Sequence, residues 1–157
     1  MRIGVPKEIK PQENRIGLTP DSVKTLVSEG HEVLVENNGG FEAGFDNDQY
    51  KNAGAKIIEK AADIFNDAEI IVKVKEPQKV EVEMIRENQI VYTYLHLAAA
   101  KELTEGLVKS KSINIAYETI TDDNGRLPLL APMSAVAGRM SVQAGAHCLE
   151  KNQKGRG

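Results

Sequence analysis

Short apolar runs alternate with helical segments along the whole chain. The strand-like runs are rich in β-branched residues, which is typical of strands buried on both faces of a parallel sheet. The helical segments carry apolar residues three and four positions apart and are bounded by capping residues such as Thr19 and Gly30. Strands are predicted at 2–5, 32–36, 56–58, 69–74, 89–94 and 113–117, and helices at 19–30, 46–52, 61–65, 80–86, 98–109 and 132–151.

This alternation predicts the fold class and the domain organisation. Strands joined by helices favour an α/β fold, with a mostly parallel open sheet, right-handed crossovers and helices on both faces. Such an arrangement is either Rossmann-like or flavodoxin-like. Residues 1–130 are predicted to form the N-terminal domain, and residues 131–157 a long linker helix with a basic tail.

Composition removes several function classes. With 41% hydrophobic and 27% charged residues, the chain is typical of a globular protein. A net charge of -3 gives no electrostatic reason to expect nucleic acid or a membrane surface as a partner. The single cysteine, Cys148, excludes an internal disulfide and fits a reducing compartment. No run is apolar enough to cross a bilayer, so a cytoplasmic location is predicted.

Polar residues with chemical potential follow four of the predicted strands. Arg15 lies in the loop after the first strand, and Lys73 and Lys75 end the fourth. The two lysines are two positions apart, which predicts that they share one face. His96 and Glu118 directly follow the next two strands. Because ligands bind at the carboxyl ends of parallel strands, these residues are predicted to converge at one edge.

The chemistry of this set suits a small 2-oxo acid or amino acid. A guanidinium binds a carboxylate through two parallel hydrogen bonds, and an ammonium can hold a second oxygen as a point charge. An imidazole can donate or accept a proton near neutral pH. Taken singly, each residue has a structural alternative: Lys73 fits a structural or rim charge, and Met133 fits helix packing as well as a ligand wall. The scattered histidines predict no metal site.

Longer segments add a family resemblance. The opening MRIGVPKEIKPQENRIGLTP resembles that of alanine dehydrogenases, which share it with the first domain of proton-translocating nicotinamide nucleotide transhydrogenases. Transhydrogenases generally lack a histidine where His96 stands. Saccharopine dehydrogenases carry a similar arginine, lysine and histidine set but are less similar elsewhere. The other segments similar to alanine dehydrogenases are VKVKEP (72–77), YLHLAAAKEL (94–103), AYET (116–119) and LPLLAPMSAVAGRM (127–140).

The resemblance implies a role for five residues. Arg15 would bind the substrate carboxylate, and Lys75 would bind substrate near its carboxylate and carbonyl. His96 would hydrogen-bond the carbonyl oxygen and act as the acid or base. Met133 would line the substrate site, and Ser134 would approach the nicotinamide cofactor. The implied reaction converts L-alanine, NAD and water reversibly into pyruvate, ammonia and NADH.

The resemblance also has a gap. A dinucleotide site needs a glycine-rich turn between a strand and a helix, and the sequence has none. The chain therefore resembles the N-terminal substrate-binding part of an alanine dehydrogenase, cut before the NAD-binding domain. Stable NAD binding and activity of the chain alone are not expected, and a non-catalytic binding, regulatory or assembly module is the alternative. Apolar surface left uncovered predicts a homo-oligomer.

Overall fold

A single sheet of six parallel strands forms the centre of the first of two structural units. The computed structural model describes residues 1–157 and divides into Met1–Ala116 and Tyr117–Gly157. The strand order is β3-β2-β1-β4-β5-β6, which is the order of the Rossmann fold. The prediction of an α/β fold with an open parallel sheet is confirmed. The strands are β1 (Arg2–Val5), β2 (Glu32–Glu36), β3 (Lys56–Ile58), β4 (Ile70–Val72), β5 (Ile90–Thr93) and β6 (Ile113–Ala116).

Helices cover both faces of this sheet. Alternate residues of β2 point to opposite faces: Val33 and Val35 belong to one buried cluster, and Leu34 to the other. The first cluster includes residues of α1 and α2, and the second includes residues of α3 and α5. The helices of this unit are α1 (Pro20–Ser28), α2 (Asn47–Asn52), α3 (Ala61–Asp67), α4 (Lys79–Val82) and α5 (Lys101–Ser110).

Local capping explains where the first helices begin. The Thr19 side chain accepts a hydrogen bond from the backbone N–H of Ser22, and Pro20 occupies the first turn of α1. Asp46 and Gln49 form a reciprocal capping box at the start of α2. These starts agree with the predictions.

Several elements are shorter than the sequence predicts, among them β4, α4 and α5. The strand predicted at 69–74 ends at Val72, because Lys73 turns into the interior. The helix predicted at 80–86 closes after Val82. The helix predicted at 98–109 begins only at Lys101, because a 3-10 turn, Leu97–Ala99, comes first. Two of these changes lie at the carboxyl edge of the sheet, where polar contacts override the apolar pattern.

Gly17 allows the loop between β1 and α1 to press against the end of β4. A Cβ at this position would lie 2.5 Å from the Val72 carbonyl oxygen and 2.9 Å from the Val72 carbonyl carbon. Both atoms are backbone and cannot move aside independently. The close approach keeps the Arg15 side of the loop beside the end of β4.

Gly17→Ala is expected to lower the free energy of unfolding by about 1–3 kcal/mol, the usual cost of overpacking. Urea denaturation followed by circular dichroism measures this. Gly138→Ala is the matched control, because a Cβ at Gly138 meets no atom within 4 Å. The control should leave stability unchanged or raise it by up to about 1 kcal/mol, since alanine favours a helix. Equal effects of the two substitutions would contradict the close approach.

The second unit contains a turn, one long helix and two short 3-10 helices, Tyr117–Thr119 and Lys151–Gln153. Backbone hydrogen bonds join Asp122 to Gly125 and to Arg126, as the DDNG sequence predicts. Helix α6, Ala131–Leu149, has no buried residue, and apolar side chains such as Val136 and Met140 are exposed. No helix of the chain has the length and apolar character to cross a membrane. The domain boundary predicted at residue 130 stays a prediction.

Candidate functional site

The centre of the sheet provides a crevice at the carboxyl edge of the strands. Strands β1 and β4 are neighbours at the centre of the sheet. The chain leads outward from β1 through α1 to β2, and from β4 through α4 to β5 in the opposite direction. In open parallel sheets this point, where the strand order reverses, is where ligands bind. The loop after β1 carries Arg15, and the segment after β4 carries Lys75.

Arg15 is held by a neighbouring carboxylate. Its Nε donates to Glu13 Oε1 at 2.7 Å, and its Nη2 donates to Glu13 Oε2 at 2.6 Å. The backbone N–H of Arg15 also donates to Glu13 Oε1. The hydrogen bond to Glu13 raises the pKa of the guanidinium, and the charges of Tyr94 and Glu8 raise it as well, whereas burial lowers it. Arg15 therefore lies within electrostatic reach of the end of β5.

Lys75 is positioned through its backbone. Its N–H donates to Glu8 Oε1 at 3.2 Å, and its carbonyl accepts a hydrogen bond from Thr93 Oγ1 at 3.0 Å. Its side chain is 31% exposed, and its Nζ lies 3.8 Å from Glu76. The backbone is thus fixed by the β1 loop and by β5, whereas the ammonium remains accessible to a ligand.

His96 lies at a sharp turn three residues beyond the end of β5. Its φ of 51° and ψ of 40° are left-handed, which is uncommon for a non-glycine residue. Leu95 is buried in the core on one side of it, and the 3-10 turn begins on the other. The backbone N–H of Tyr94 donates to the Val74 carbonyl at 3.3 Å, so the segment containing His96 runs beside the segment containing Lys75. His96 itself is exposed.

Electrostatic coupling to Glu13 links two of the basic residues predicted for the site, Arg15 and Lys75. Both Arg15 and Lys75 lower the pKa of Glu13, the hydrogen bond from Arg15 being the larger cause. Arg15 also interacts with Tyr94, two positions before His96. Glu118 follows β6 as predicted, but it belongs to the second unit, as do Met133 and Ser134. The places of these three in the site stay predictions.

Lys73 does not share an exposed face with Lys75, and this part of the prediction is wrong. The strand ends at Val72, and Lys73 is 0% exposed. Its Nζ contacts Glu8 Oε2 at 3.1 Å and Glu81 Oε1 at 2.7 Å. The strand alternation that placed the two lysines on one face therefore does not extend past Val72. The alternative interpretation of Lys73, as a structural charge, agrees with its position in the structure.

Sequence reasoning missed the carboxylates that surround these cations. Glu8 lies in the loop after β1, 65 residues from Lys73, and Glu81 lies on α4. No local sequence pattern therefore points to either residue as a partner of Lys73. Glu13 is different, because it stands two residues before Arg15. An acid at that spacing in a loop was a usable signal for a local ion pair.

A groove of about 890 Å³ lies elsewhere, between α4 and α5. Its walls include Pro77, Val82 and Leu103, with Lys79 and Lys109 among the charged residues. None of Arg15, Lys75 and His96 lines it. The charged residues beyond the strand ends and the strand order favour the edge of the sheet over this groove as the substrate site. No group of three histidine, cysteine or acidic residues is arranged to hold a metal ion.

Comparison with known proteins gives the family. The family profile described as "Alanine dehydrogenase/PNT, N-terminal domain" matches residues 4–137, which includes Arg15, Lys75 and His96. The chain belongs to this family. Within the family, the residues at the carboxyl edge of β1, β4 and β5 all lie inside the matched region.

Similar proteins agree with this assignment to the alanine dehydrogenase/PNT N-terminal domain family. An alanine dehydrogenase from Halomonas elongata is 54% identical over 157 residues, and one from Geobacillus stearothermophilus is 52% identical. Each match covers all of this chain and 42% of the relative. The chain thus spans less than half the length of these relatives.

Solved structures show the same fold. An L-alanine dehydrogenase structure superposes with a TM-score of 0.91 at 53% identity, over 100% of this chain and 43% of that one. A transhydrogenase from Sinorhizobium meliloti gives a TM-score of 0.72 at 28% identity, over 76% of this chain and 36% of that one. Both the identity and the TM-score are higher for the alanine dehydrogenase than for the transhydrogenase.

Proposed function

We propose that this chain is the substrate-binding part of an L-alanine dehydrogenase. The reaction is the reversible conversion of L-alanine, NAD and water into pyruvate, ammonia and NADH. The observation that carries the proposal is that Arg15 and Lys75 follow the neighbouring strands β1 and β4 at the crevice between them, with Arg15 hydrogen-bonded to Glu13 and Lys75 held by backbone contacts to Glu8 and Thr93. The identity of about one half to alanine dehydrogenases supports it.

Each basic group has a separate task in the proposed site. Arg15 binds the carboxylate of pyruvate or L-alanine, and Lys75 contacts the carboxylate and carbonyl oxygens. His96 hydrogen-bonds the carbonyl oxygen and serves as the acid or base. Positive charge at the carbonyl oxygen polarises the carbon for attack by ammonia. The carbinolamine that forms loses its hydroxyl as water, with His96 as the proton donor, and the same groups hold the resulting imine in place. Met133 lines the substrate and Ser134 approaches the cofactor in the proposed complete site.

NAD is the hydride acceptor when L-alanine is oxidised. The turn between β1 and α1, however, does not fit a dinucleotide. Pro20 has no N–H, and the N–H groups of Ser22 and Val23 already donate to Thr19. The loop before them carries Glu8 and Glu13 rather than a glycine-rich cradle. Few N–H donors of this turn therefore remain to bind a pyrophosphate. We infer that this chain does not bind NAD stably and has little activity alone.

Assembly is the second candidate function, and one observation favours it. Apolar side chains of α6 such as Met140 and Val142 are exposed, as are Ile113 and Ile115 on the edge strand β6. Exposed apolar surface of this kind is commonly covered by another protein surface. A homo-oligomer, or a role as a binding or regulatory module, is proposed on this basis. The cytoplasmic location stays a prediction.

Calorimetric titration with pyruvate tests the substrate proposal. Pyruvate is expected to bind with a dissociation constant of about 1 mM or weaker, since so small a ligand makes few contacts. Acetone has the same carbonyl without the carboxylate and is the matched control, expected to give no saturable heat. Equal behaviour of the two compounds, or no pyruvate binding, would contradict the proposed role.

A further inference from the structure

Glu13 occupies a central place among the charges of the proposed site. Its two carboxylate oxygens accept hydrogen bonds from Nε and Nη2 of Arg15 at 2.7 and 2.6 Å. Lys75 also acts on it electrostatically. The carboxylate is therefore bonded to Arg15 and lies within electrostatic reach of Lys75.

The carboxylate is the more deeply fixed member of the pair. The Glu13 side chain is 10% exposed, whereas the Arg15 side chain is 50% exposed. The hydrogen bond from Arg15 lowers the pKa of Glu13 more than burial raises it. Glu13 is thus negatively charged throughout the neutral pH range, and its charge is a permanent part of the site.

The other charges nearby add no net positive charge, because Glu76 pairs with Lys10 and Lys73 is shared by two carboxylates. A first ligand carboxylate can still bond directly to the guanidinium of Arg15. A second carboxylate meets the charge of Glu13 and finds no uncompensated cation to attract it.

We propose that Glu13 makes the site select 2-oxo acids with one carboxylate over those with two. This inference rests on the proposed function, because it assumes that Arg15 and Lys75 bind a 2-oxo acid. The negative charge of Glu13 repels a second carboxylate on the ligand, and with partial screening by solvent the penalty amounts to about tenfold in affinity. Glu13 also positions the guanidinium of Arg15.

The experiment compares two ligands of similar length. Calorimetry measures the affinities of 2-oxohexanoate, a monoanion, and 2-oxoglutarate, a dianion, for the parent chain and its variants at pH 7. Glu13→Gln and Glu13→Ser both remove the charge, and Glu13→Asp keeps it. Glu29→Gln makes the same charge change at the exposed C-terminal end of α1 and is the matched control. Thermal unfolding of each variant establishes that it is folded.

The parent is expected to prefer 2-oxohexanoate. A folded Glu13→Gln or Glu13→Ser variant should shift the affinity ratio toward 2-oxoglutarate by about tenfold, while Glu13→Asp and Glu29→Gln leave it unchanged. If a charge-removed variant still binds 2-oxohexanoate and its affinity ratio is unchanged, the selective role of Glu13 is overturned but the proposed function is not. A parent that binds neither acid overturns the proposed function as well. If neither charge-removed variant folds, Glu13 is a folding determinant and the selective role is rejected.

Discussion

Lys73→Met is expected to lower the free energy of unfolding by about 3–5 kcal/mol, the usual cost of breaking a buried ion pair by removing one partner. Lys73 is fully buried, and the side chains of Glu8 and Glu81 are each 2% exposed. Methionine fills a similar volume but leaves two buried carboxylates without their cation. Urea denaturation measures the loss.

The size of this effect follows from the completeness of the network. Glu8 Oε1 accepts from the backbone N–H groups of Val74 and Lys75, and Glu81 Oε2 accepts from that of Gln78. The network therefore ties the β1 loop, the end of β4 and the start of α4 together. Lys24→Met is the control on the exposed side of α1, and it should change stability by less than about 0.5 kcal/mol.

The pH dependence of the Lys73→Met deficit has a definite sign. Burial raises the pKa of Glu81 even though Lys73 opposes it. Removing Lys73 removes the main cause that holds this pKa down. A carboxyl group with a raised pKa in the folded state makes that state less stable as the pH rises from the unfolded-state pKa to the raised value. The deficit should therefore be larger at pH 8 than at pH 5. A deficit that is small, or that does not depend on pH, would contradict the buried network.

Arg15→Ala is expected to weaken pyruvate binding by about 10- to 100-fold, which corresponds to the loss of hydrogen bonds to a charged group. Arg15→Lys keeps the charge but loses the planar fork, so intermediate affinity is expected. Calorimetry with pyruvate measures both variants. Arg126→Ala, at an exposed turn position, is the matched control and should bind as the parent does.

Stability must be measured on the same samples, because Arg15 also pairs with Glu13. The lowered pKa of Glu13 means that the pair stabilises the fold above pH 4.5, and that this contribution is lost as the pH falls through the lowered value. Binding at pH 7 therefore reports on the guanidinium with Glu13 charged. Parent-like pyruvate affinity in a folded Arg15→Ala variant would exclude Arg15 as the carboxylate ligand.

The order of elements was predictable from the sequence, because each strand and helix has a local cause. Consecutive apolar residues define the strands, and Thr19, Gly30 and Asp46 bound the helices. The strand order was not predictable in the same way, since no local pattern distinguishes a Rossmann-like from a flavodoxin-like sheet. It depends on which strands pair over long separations, such as β1 with β4.

The candidate site was predictable only in part. Arg15, Lys75 and His96 each follow a strand, so the shared edge could be inferred before any coordinates. The burial of Lys73 could not, because its partner Glu8 lies 65 residues away in sequence. The roles of Met133 and Ser134 came from the family resemblance alone, and they stay predictions.

The central claim is that three basic residues from separate strand ends bind one carboxylic acid at a single edge of the sheet. Titration of the ¹⁵N-labelled chain with pyruvate, followed by NMR, tests it most directly. The account predicts saturable shifts of the Arg15 Nε–H, the Lys75 amide and the amides of Tyr94 and His96, all with one dissociation constant. Saturable shifts confined to the groove between α4 and α5, or no shifts at these residues, would contradict it.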